Sequence, residues 1–150
     1  MKSYLILIRP YGMLFLGFTP VFCAIANGEF NYFHLTALLV IGLLAHIFTF
    51  VQNDYYDITI DSKSEYVSNR PLVNGSISKK KAFVFYLSSF LLSLLIAVVF
   101  LFSFYSLFVL LLSFLFVTFY NKYSKKKPNS VTMAWGIATN LLAPNNLTNG

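Results

Sequence analysis

The chain has 150 residues and a formal net charge of +6; 57% of its residues are hydrophobic and only 11% are charged. A soluble globular domain carries about 25% charged residues, so this composition excludes that class. The apolar residues form runs that approach or reach the length of a bilayer crossing. The basic residues lie in short clusters between these runs, which argues against nucleic acid as a partner. We therefore predict an all-α, multi-pass transmembrane helical bundle embedded in a lipid bilayer.

Five apolar segments follow one another, each bounded by polar residues or turn signals. The predicted spans are approximately residues 10–27, 33–52, 82–101, 104–120 and 131–143. The fifth has about 13 helical residues, or roughly 20 Å, which falls short of a hydrocarbon core of about 30 Å. We expect one transmembrane domain over residues 1–150, with about four full spans and a truncated fifth.

The connections between the spans alternate in charge. All eleven Lys and Arg lie before the first span, between the second and third, or between the fourth and fifth. Cytoplasmic loops carry an excess of such residues, so we expect the amino terminus and both basic loops to face the cytoplasm. The sequence thus predicts an integral membrane protein of the cell membrane whose polar stretch after the second span meets the cytosol.

That polar stretch, residues 53–61, holds three of the five acidic residues. At about 100° per helical residue, four side chains share one face roughly a third of the circumference wide. They are Asn53, Asp54, Asp57 and Asp61. Carboxylates so close repel one another unless a cation lies between them, and carboxylate and amide oxygens are the ligands that Mg²⁺ prefers. The pattern indicates a Mg²⁺ site; the alternative is a solvated helix end with scattered acids.

His46 lies seven positions before Asn53 and therefore falls on the same helical face, about two turns deeper. Ionisable groups within a membrane span are functional candidates. We hypothesise that His46 lines a cavity; the alternative is a hydrogen bond between helices.

A carboxylate-held Mg²⁺ at a membrane surface, faced by Arg and Lys, suits a diphosphate on a lipid tail. If the tail is a prenyl group, breaking its C1–O bond leaves an allylic cation, which aromatic faces can stabilise. The chain has 17 Phe and 10 Tyr, enough to line such a cavity.

The stretch Asn53–Asp61 reads Asn-Asp-x-x-Asp-x-x-x-Asp and resembles the first aspartate-rich motif of the UbiA superfamily of intramembrane prenyltransferases. Other segments are similar to that family at matching distances. They are Arg9-Pro10, Asn69-Arg70-Pro71-Leu72, Gly75-x-Ile77-Ser78, and the Tyr and Lys residues after the fourth span. The resemblance covers nearly the whole chain.

The resemblance implies Mg²⁺-dependent prenyl transfer from a prenyl diphosphate to a hydrophobic acceptor, either an aromatic ring or a lipid alcohol. Asn53, Asp54, Asp57 and Asp61 would hold the metal, with Asp57 and Asp61 as the catalytic pair. The implied diphosphate ligands are Arg70, Arg9, Tyr123, Lys125 and Lys127. The Tyr–Lys register stays open: Tyr123 with Lys127 fits the spacing of the family element, whereas Tyr120, with Lys125 five residues on, matches its position at the helix end.

Family members have about nine helices and a second aspartate-rich motif, whereas no Asp or Glu follows Glu65 in this chain. We therefore expect it to correspond to the amino-terminal half of such an enzyme, with a second polypeptide as one source of the missing helices. The alternative function is a non-catalytic paralogue or half-enzyme that binds polyprenyl diphosphate or pairs with another subunit. Ion transport is disfavoured, because the spans hold almost no charge apart from His46.

Overall fold

The computed structural model describes residues 2–101 and 103–123, and this part of the chain contains helices and no strand. Five α-helices follow one another: α1 Lys2–Ile8, α2 Pro10–Ala26, α3 Tyr32–Asp61, α4 Lys79–Phe100 and α5 Phe104–Tyr123. A single 3₁₀ turn, Glu65–Val67, lies in the connection between α3 and α4. The all-helical prediction is confirmed, and the fifth predicted span, residues 131–143, lies outside the described residues.

Three of these helices, α3, α4 and α5, are long and apolar enough to cross a membrane. The 17 residues of α2 reach only about 25 Å, less than a hydrocarbon core of about 30 Å. Joined to α1 across a bend of 50°, α2 passes the same test, which brings the number of candidate spans to as many as four. The membrane class is thus supported, while the number of full spans and the orientation stay predictions.

The bend between α1 and α2 lies at Arg9, which adopts the left-handed helical region with φ 52° and ψ 66°. Pro10 follows, and a proline both lacks a backbone N–H and disfavours the right-handed helical conformation in the residue before it. The Arg9-Pro10 pair predicts the start of α2, but the separate helix before it was not predicted.

Helices α2 and α3 approach each other at glycine residues. A Cβ atom on Gly42 would lie 2.1 Å from the carbonyl oxygen of Gly17, and one on Gly17 would lie 2.6 Å from Cδ2 of Leu43. Small residues allow this close approach, which is how helices gain packing energy where lipid removes the hydrophobic drive between them. The α2–α3 contact therefore depends on Gly17 and Gly42, because a side chain at either position would collide with the other helix.

Helix α3 is the central element, because it packs against each of the other four helices. Near its middle, the buried ring of Phe48 makes edge contacts with Tyr86 of α4 at 5.6 Å and with Phe114 of α5 at 4.7 Å between centroids. The outward faces of α4 and α5 carry exposed apolar side chains, as a lipid-facing surface requires. Examples are Leu91, Leu95, Val99, Phe104, Phe108 and Leu115.

The 30 residues of α3 extend about 45 Å, well beyond a hydrocarbon core of about 30 Å. The predicted span ended at residue 52, but the helix continues without interruption to Asp61. Its last turns carry the acidic stretch. This places the candidate site at one end of the central helix.

Candidate functional site

Residues 53–61 are helical throughout. The helical spacing by which the sequence predicts one shared face for the four polar side chains therefore applies. Asp54 and Asp57 are buried, Asn53 is partly buried, and the side chain of Asp61 retains 13% exposure. Buried carboxylates lose the solvation that stabilises their charge, so each needs hydrogen bonds or cations from the protein.

Asn53 and Asp57 form one pair on this face. Asn53 Nδ2 donates a hydrogen bond to Oδ2 of Asp57 at 3.2 Å, across one helical turn. The bond leaves the amide oxygen of Asn53 and the carboxylate of Asp57 side by side on one surface of α3.

Asp54 and Asp61 form a second pair, joined by a shared cation. Nη1 of Arg70 donates to Oδ1 of Asp54 at 3.3 Å and also to Oδ2 of Asp61. Nη2 of Arg9 lies 2.5 Å from the same oxygen of Asp54. Two carboxylates two turns apart on α3 thus converge on one guanidinium nitrogen, and a second arginine completes the neutralisation of Asp54.

The connection between α3 and α4 fixes the position of Arg70. Its carbonyl oxygen accepts hydrogen bonds from the backbone N–H groups of Val73 at 2.9 Å and Asn74 at 3.0 Å, which closes a turn. Leu72 is buried against the bundle, and Gly75 completes the turn with φ 76°. Asn74-Gly75-Ser76 is a strong turn signal in the sequence, and the turn found here holds Arg70 over the acidic face.

Arg9 reaches the same face from the break between α1 and α2. Its Cζ atom lies 5.2 Å from the centroid of the Phe50 ring, a cation–π geometry. The guanidinium is therefore held between the ring of Phe50 and the carboxylate of Asp54. Sequence resemblance suggested Arg9 as a diphosphate ligand, and the structure places it beside the acids.

His46 is 2% exposed, and its Nε2 atom lies 2.8 Å from the carbonyl oxygen of Ile8. This contact is the helix–helix hydrogen bond that the sequence analysis kept as the alternative for His46. A role for His46 in lining a cavity stays a prediction.

A buried network of polar side chains joins α3 to α5 directly beside the acidic stretch, and the sequence analysis did not anticipate it. Gln52 Nε2 donates to Oγ1 of Thr118 at 3.0 Å, and Asn121 Nδ2 donates to Oε1 of Gln52 at 3.0 Å. Asn121 Nδ2 also lies 3.2 Å from the carbonyl oxygen of Thr49. The signal in the sequence that could have indicated this network is the amide side chain that follows the second and fourth apolar runs, Gln52 and Asn121.

The remaining predicted diphosphate ligands lie elsewhere or beyond the described residues. Tyr123 is 52% exposed at the last residue of α5, where its ring lies 4.9 Å from that of Phe119. Lys125 and Lys127 fall outside residues 2–101 and 103–123, so the structure does not decide between the two Tyr–Lys registers.

The donor atoms of the acidic face bear on the predicted Mg²⁺ site. Among residues 2–101 and 103–123, no group of three or more His, Cys, Asp or Glu side chains is arranged to hold a metal ion. Magnesium usually takes only one or two protein carboxylates, and it fills its octahedron with water and phosphate oxygens. The convergence of Asp54 and Asp61 on one guanidinium nitrogen marks a position where two hard oxygen ligands meet a positive charge. These oxygens fit Mg²⁺, and its binding by Asn53, Asp54, Asp57 and Asp61 stays a prediction.

A bundle of apolar helices that gathers carboxylates and arginines at one end of its central helix is typical of a membrane protein, and these polar side chains are its candidate functional site. The chain belongs to the UbiA prenyltransferase family, whose family model matches residues 13–145. No curated protein and no solved structure gave a significant match. The match confirms the resemblance drawn from the motifs and supports prenyl transfer in the membrane at the level of the family.

Proposed function

We propose that the chain takes part in Mg²⁺-dependent transfer of a prenyl group from a prenyl diphosphate to a hydrophobic acceptor within the membrane. The observation that carries the proposal is the shared contact of Asp54 and Asp61 with Nη1 of Arg70. It supports a site in which these carboxylates meet a cation at the end of the central helix. Family membership supports the reaction class and the two substrates.

The arginines have two roles in this proposal. Without ligand, Arg9 and Arg70 neutralise carboxylates that would otherwise repel one another. Bound Mg²⁺ would supply positive charge to the carboxylates and to the diphosphate. Arg70 then exchanges carboxylate oxygens for phosphate oxygens, which are equally good partners for a charged guanidinium. Arg9 keeps its contact with Asp54 and donates to the diphosphate with its other N–H groups. Negative charge that develops on the departing diphosphate is stabilised by the same two side chains.

Aromatic side chains lie close to the acidic end of α3. The ring of Tyr55, the neighbour of Asp54, lies 5.6 Å from that of Tyr86 and 6.1 Å from that of Phe83. This cluster packs between α3 and α4, and Nζ of Lys79 lies 4.7 Å from the centroid of the Tyr55 ring. In the proposed reaction an allylic cation would be stabilised by aromatic faces that line the prenyl tail. An aromatic ring, as in quinone synthesis, or an alcohol of a lipid precursor could act as the acceptor.

The direct test expresses the chain in membranes and supplies Mg²⁺ with labelled geranylgeranyl or farnesyl diphosphate. We expect diphosphate release that chelation of Mg²⁺ stops and that Asp57→Asn abolishes. Glu65→Gln is the matched control, because Glu65 is an exposed acid outside the acidic face. Release that persists in Asp57→Asn membranes, or without Mg²⁺, would contradict the proposed activity.

A second candidate is binding of polyprenyl diphosphate without turnover, by a non-catalytic paralogue or a half-enzyme that pairs with another polypeptide. It is favoured by the donor atoms of residues 2–101 and 103–123, where the carboxylates of the candidate site all lie on α3 and no group of three or more His, Cys, Asp or Glu side chains is arranged to hold a metal ion. In the same assay this candidate predicts retention of labelled diphosphate with no release. We place the site on the cytoplasmic side of the cell membrane, from the distribution of basic residues.

A further inference from the structure

We infer that His46 is a positioning residue for the proposed reaction: it fixes the break between α1 and α2 and so holds the guanidinium of Arg9 on Asp54. The inference rests on the proposed function for its link to diphosphate binding. It does not make His46 a catalytic residue, because the contacts of its ring are with the protein backbone and with Phe50.

The break leaves the carbonyl group of Ile8 without its usual helical partner. In a continuous helix, this oxygen would accept a hydrogen bond from the N–H of Gly12. Gly12 instead donates to the carbonyl oxygen of Arg9 at 3.0 Å. His46 Nε2 lies 2.8 Å from the Ile8 oxygen. A carbonyl oxygen can only accept, so Nε2 carries the proton in this contact.

The sequence of α2 leaves room for the imidazole at this point. A Cβ atom on Gly12 would lie 2.8 Å from Cε1 of His46, so a larger residue at position 12 would displace the ring. The glycine therefore allows a side chain of α3 to reach the end of α1. His46 thus replaces the missing N–H donor at the break.

His46 also contacts the ring of Phe50, over which the guanidinium of Arg9 lies. The centroids of His46 and Phe50 are 4.4 Å apart, and Cζ of Arg9 lies 5.2 Å from the centroid of Phe50. His46 therefore supports both the backbone before Arg9 and the aromatic ring beneath its guanidinium. Arg9 itself has φ 52°, a conformation that non-glycine residues adopt only when the surrounding structure holds them in it.

Removing the donor of His46 should therefore act through Arg9. A buried carbonyl that loses its partner favours any rearrangement that restores a hydrogen bond. The bend can then relax, and Arg9 leaves the 2.5 Å contact with Asp54. The expected signature is that loss of His46 and loss of Arg9 have overlapping effects rather than additive ones.

The experiment compares His46→Leu, His46→Gln, Arg9→Gln and the double variant His46→Leu/Arg9→Gln as purified full chains. Two quantities are measured: the thermal unfolding temperature without ligand, and the affinity for geranylgeranyl and farnesyl diphosphates with Mg²⁺. We expect His46→Leu and Arg9→Gln each to weaken binding by about tenfold. The double variant should bind no more weakly than the weaker single variant. Glutamine places an N–H donor near the position of Nε2, so His46→Gln should recover most of the affinity.

Gln52→Leu is the matched control, because Gln52 is a buried polar residue of the same helix whose hydrogen bonds go to α5. Its effects should add to those of Arg9→Gln. If His46→Leu does not fold, Gly12→Ala tests the same contact by displacing the ring, and it should also be non-additive with Arg9→Gln.

Additive effects of the His46 or Gly12 variants with Arg9→Gln would overturn the inference, as would wild-type affinity in the His46→Leu chain. Coupling between His46 and Arg9 in the ligand-free unfolding measurements, together with no binding by the wild-type chain, would instead contradict the proposed function and leave the positioning contact established.

Discussion

Arg9 and Asp54 lie 45 positions apart in the chain, and Nη2 of the arginine is 2.5 Å from Oδ1 of the aspartate. The contact joins the break before α2 to the acidic end of α3. Asp54 is only 3% exposed. Removing the cation from a buried carboxylate strongly destabilises the folded chain. The candidate site is therefore also part of what holds the first helices to the central one.

The first prediction concerns Arg70, which contacts both Asp54 and Asp61. Arg70→Gln removes the shared cation and leaves two carboxylates to repel each other. We expect Mg²⁺ alone to bind more tightly to the variant than to the wild type, because no guanidinium then competes for the oxygens. Affinity for Mg²⁺ with a prenyl diphosphate should fall by about 10- to 100-fold, since charge-assisted hydrogen bonds are lost. Calorimetric titration measures both affinities.

Arg70→Lys is the matched control for this prediction. It keeps the charge but lacks the planar fork that can contact two carboxylates at once, so both affinities should be intermediate. A variant chain whose affinities for Mg²⁺ and for the diphosphate change in the same direction would contradict the competition that we propose.

The second prediction concerns the glycine contact between α2 and α3. Gly42→Ala places a Cβ atom against the backbone oxygen of Gly17, which no rotation of a side chain can relieve. We expect the free energy of unfolding to fall by about 3 kcal/mol, as for strong overpacking. Thr36→Ala, at an exposed position of the same helix, should change it by less than about 0.5 kcal/mol. Equal unfolding temperatures for the two variants would show that the helices do not meet at these glycines.

The third prediction concerns the amide network between α3 and α5. Gln52→Leu and Asn121→Leu each break the hydrogen bond between the two amides, and each should lower the free energy of unfolding by about 1 kcal/mol. The double variant should cost less than the sum, because the first change already removes the shared bond. A double-mutant cycle of thermal unfolding measures the coupling. Strict additivity would mean that the two side chains do not interact.

The fourth prediction concerns pH at the opposite end of α3. Hydrogen bonds from the side chain of His34 and the backbone N–H of Asn31 lower the pKa of Glu29 below its ordinary value. The folded chain therefore binds this proton more weakly than the unfolded chain. The stabilisation is complete above the ordinary Glu pKa of about 4.3, and it is lost as the pH falls through the lower folded value.

We expect the difference in unfolding temperature between the wild type and Glu29→Gln to be larger near pH 6 than near pH 3, although small at both because the group is close to the surface. Scans at the two pH values measure it. A difference that grows on acidification would show that the carboxylate is not stabilised in the folded chain.

Much of the described fold follows from the pattern of apolar runs, because lipid requires backbone hydrogen bonds to close within each segment and so favours helices. The same pattern could not show where α3 ends. Hydropathy stops at residue 52, but helical hydrogen bonding continues to Asp61, where carboxylates and a loop arginine stabilise polar turns. The helix before Arg9 was missed because seven residues are too few to show a periodic pattern.

The sequence predicted which residues belong to the candidate site better than it predicted the contacts between them. Helical spacing placed Asn53, Asp54, Asp57 and Asp61 on one face, and resemblance supplied Arg9 and Arg70. It could not be read from the sequence that Arg70 joins Asp54 to Asp61, or that Arg9 depends on a left-handed residue, because both follow from tertiary contacts. The amides of Gln52 and Asn121 were likewise invisible as a pair, since 69 positions separate them.

The central claim is that the acidic end of α3 binds a prenyl diphosphate through Mg²⁺. The most direct measurement is calorimetric binding of geranylgeranyl and farnesyl diphosphates to the purified chain, with Mg²⁺ and with a chelator, for the wild type, Asp54→Asn and Asp57→Asn. The account predicts binding by the wild type that requires Mg²⁺ and is at least tenfold weaker in both variants. Binding of equal strength with the chelator, or in the two variants, would contradict it.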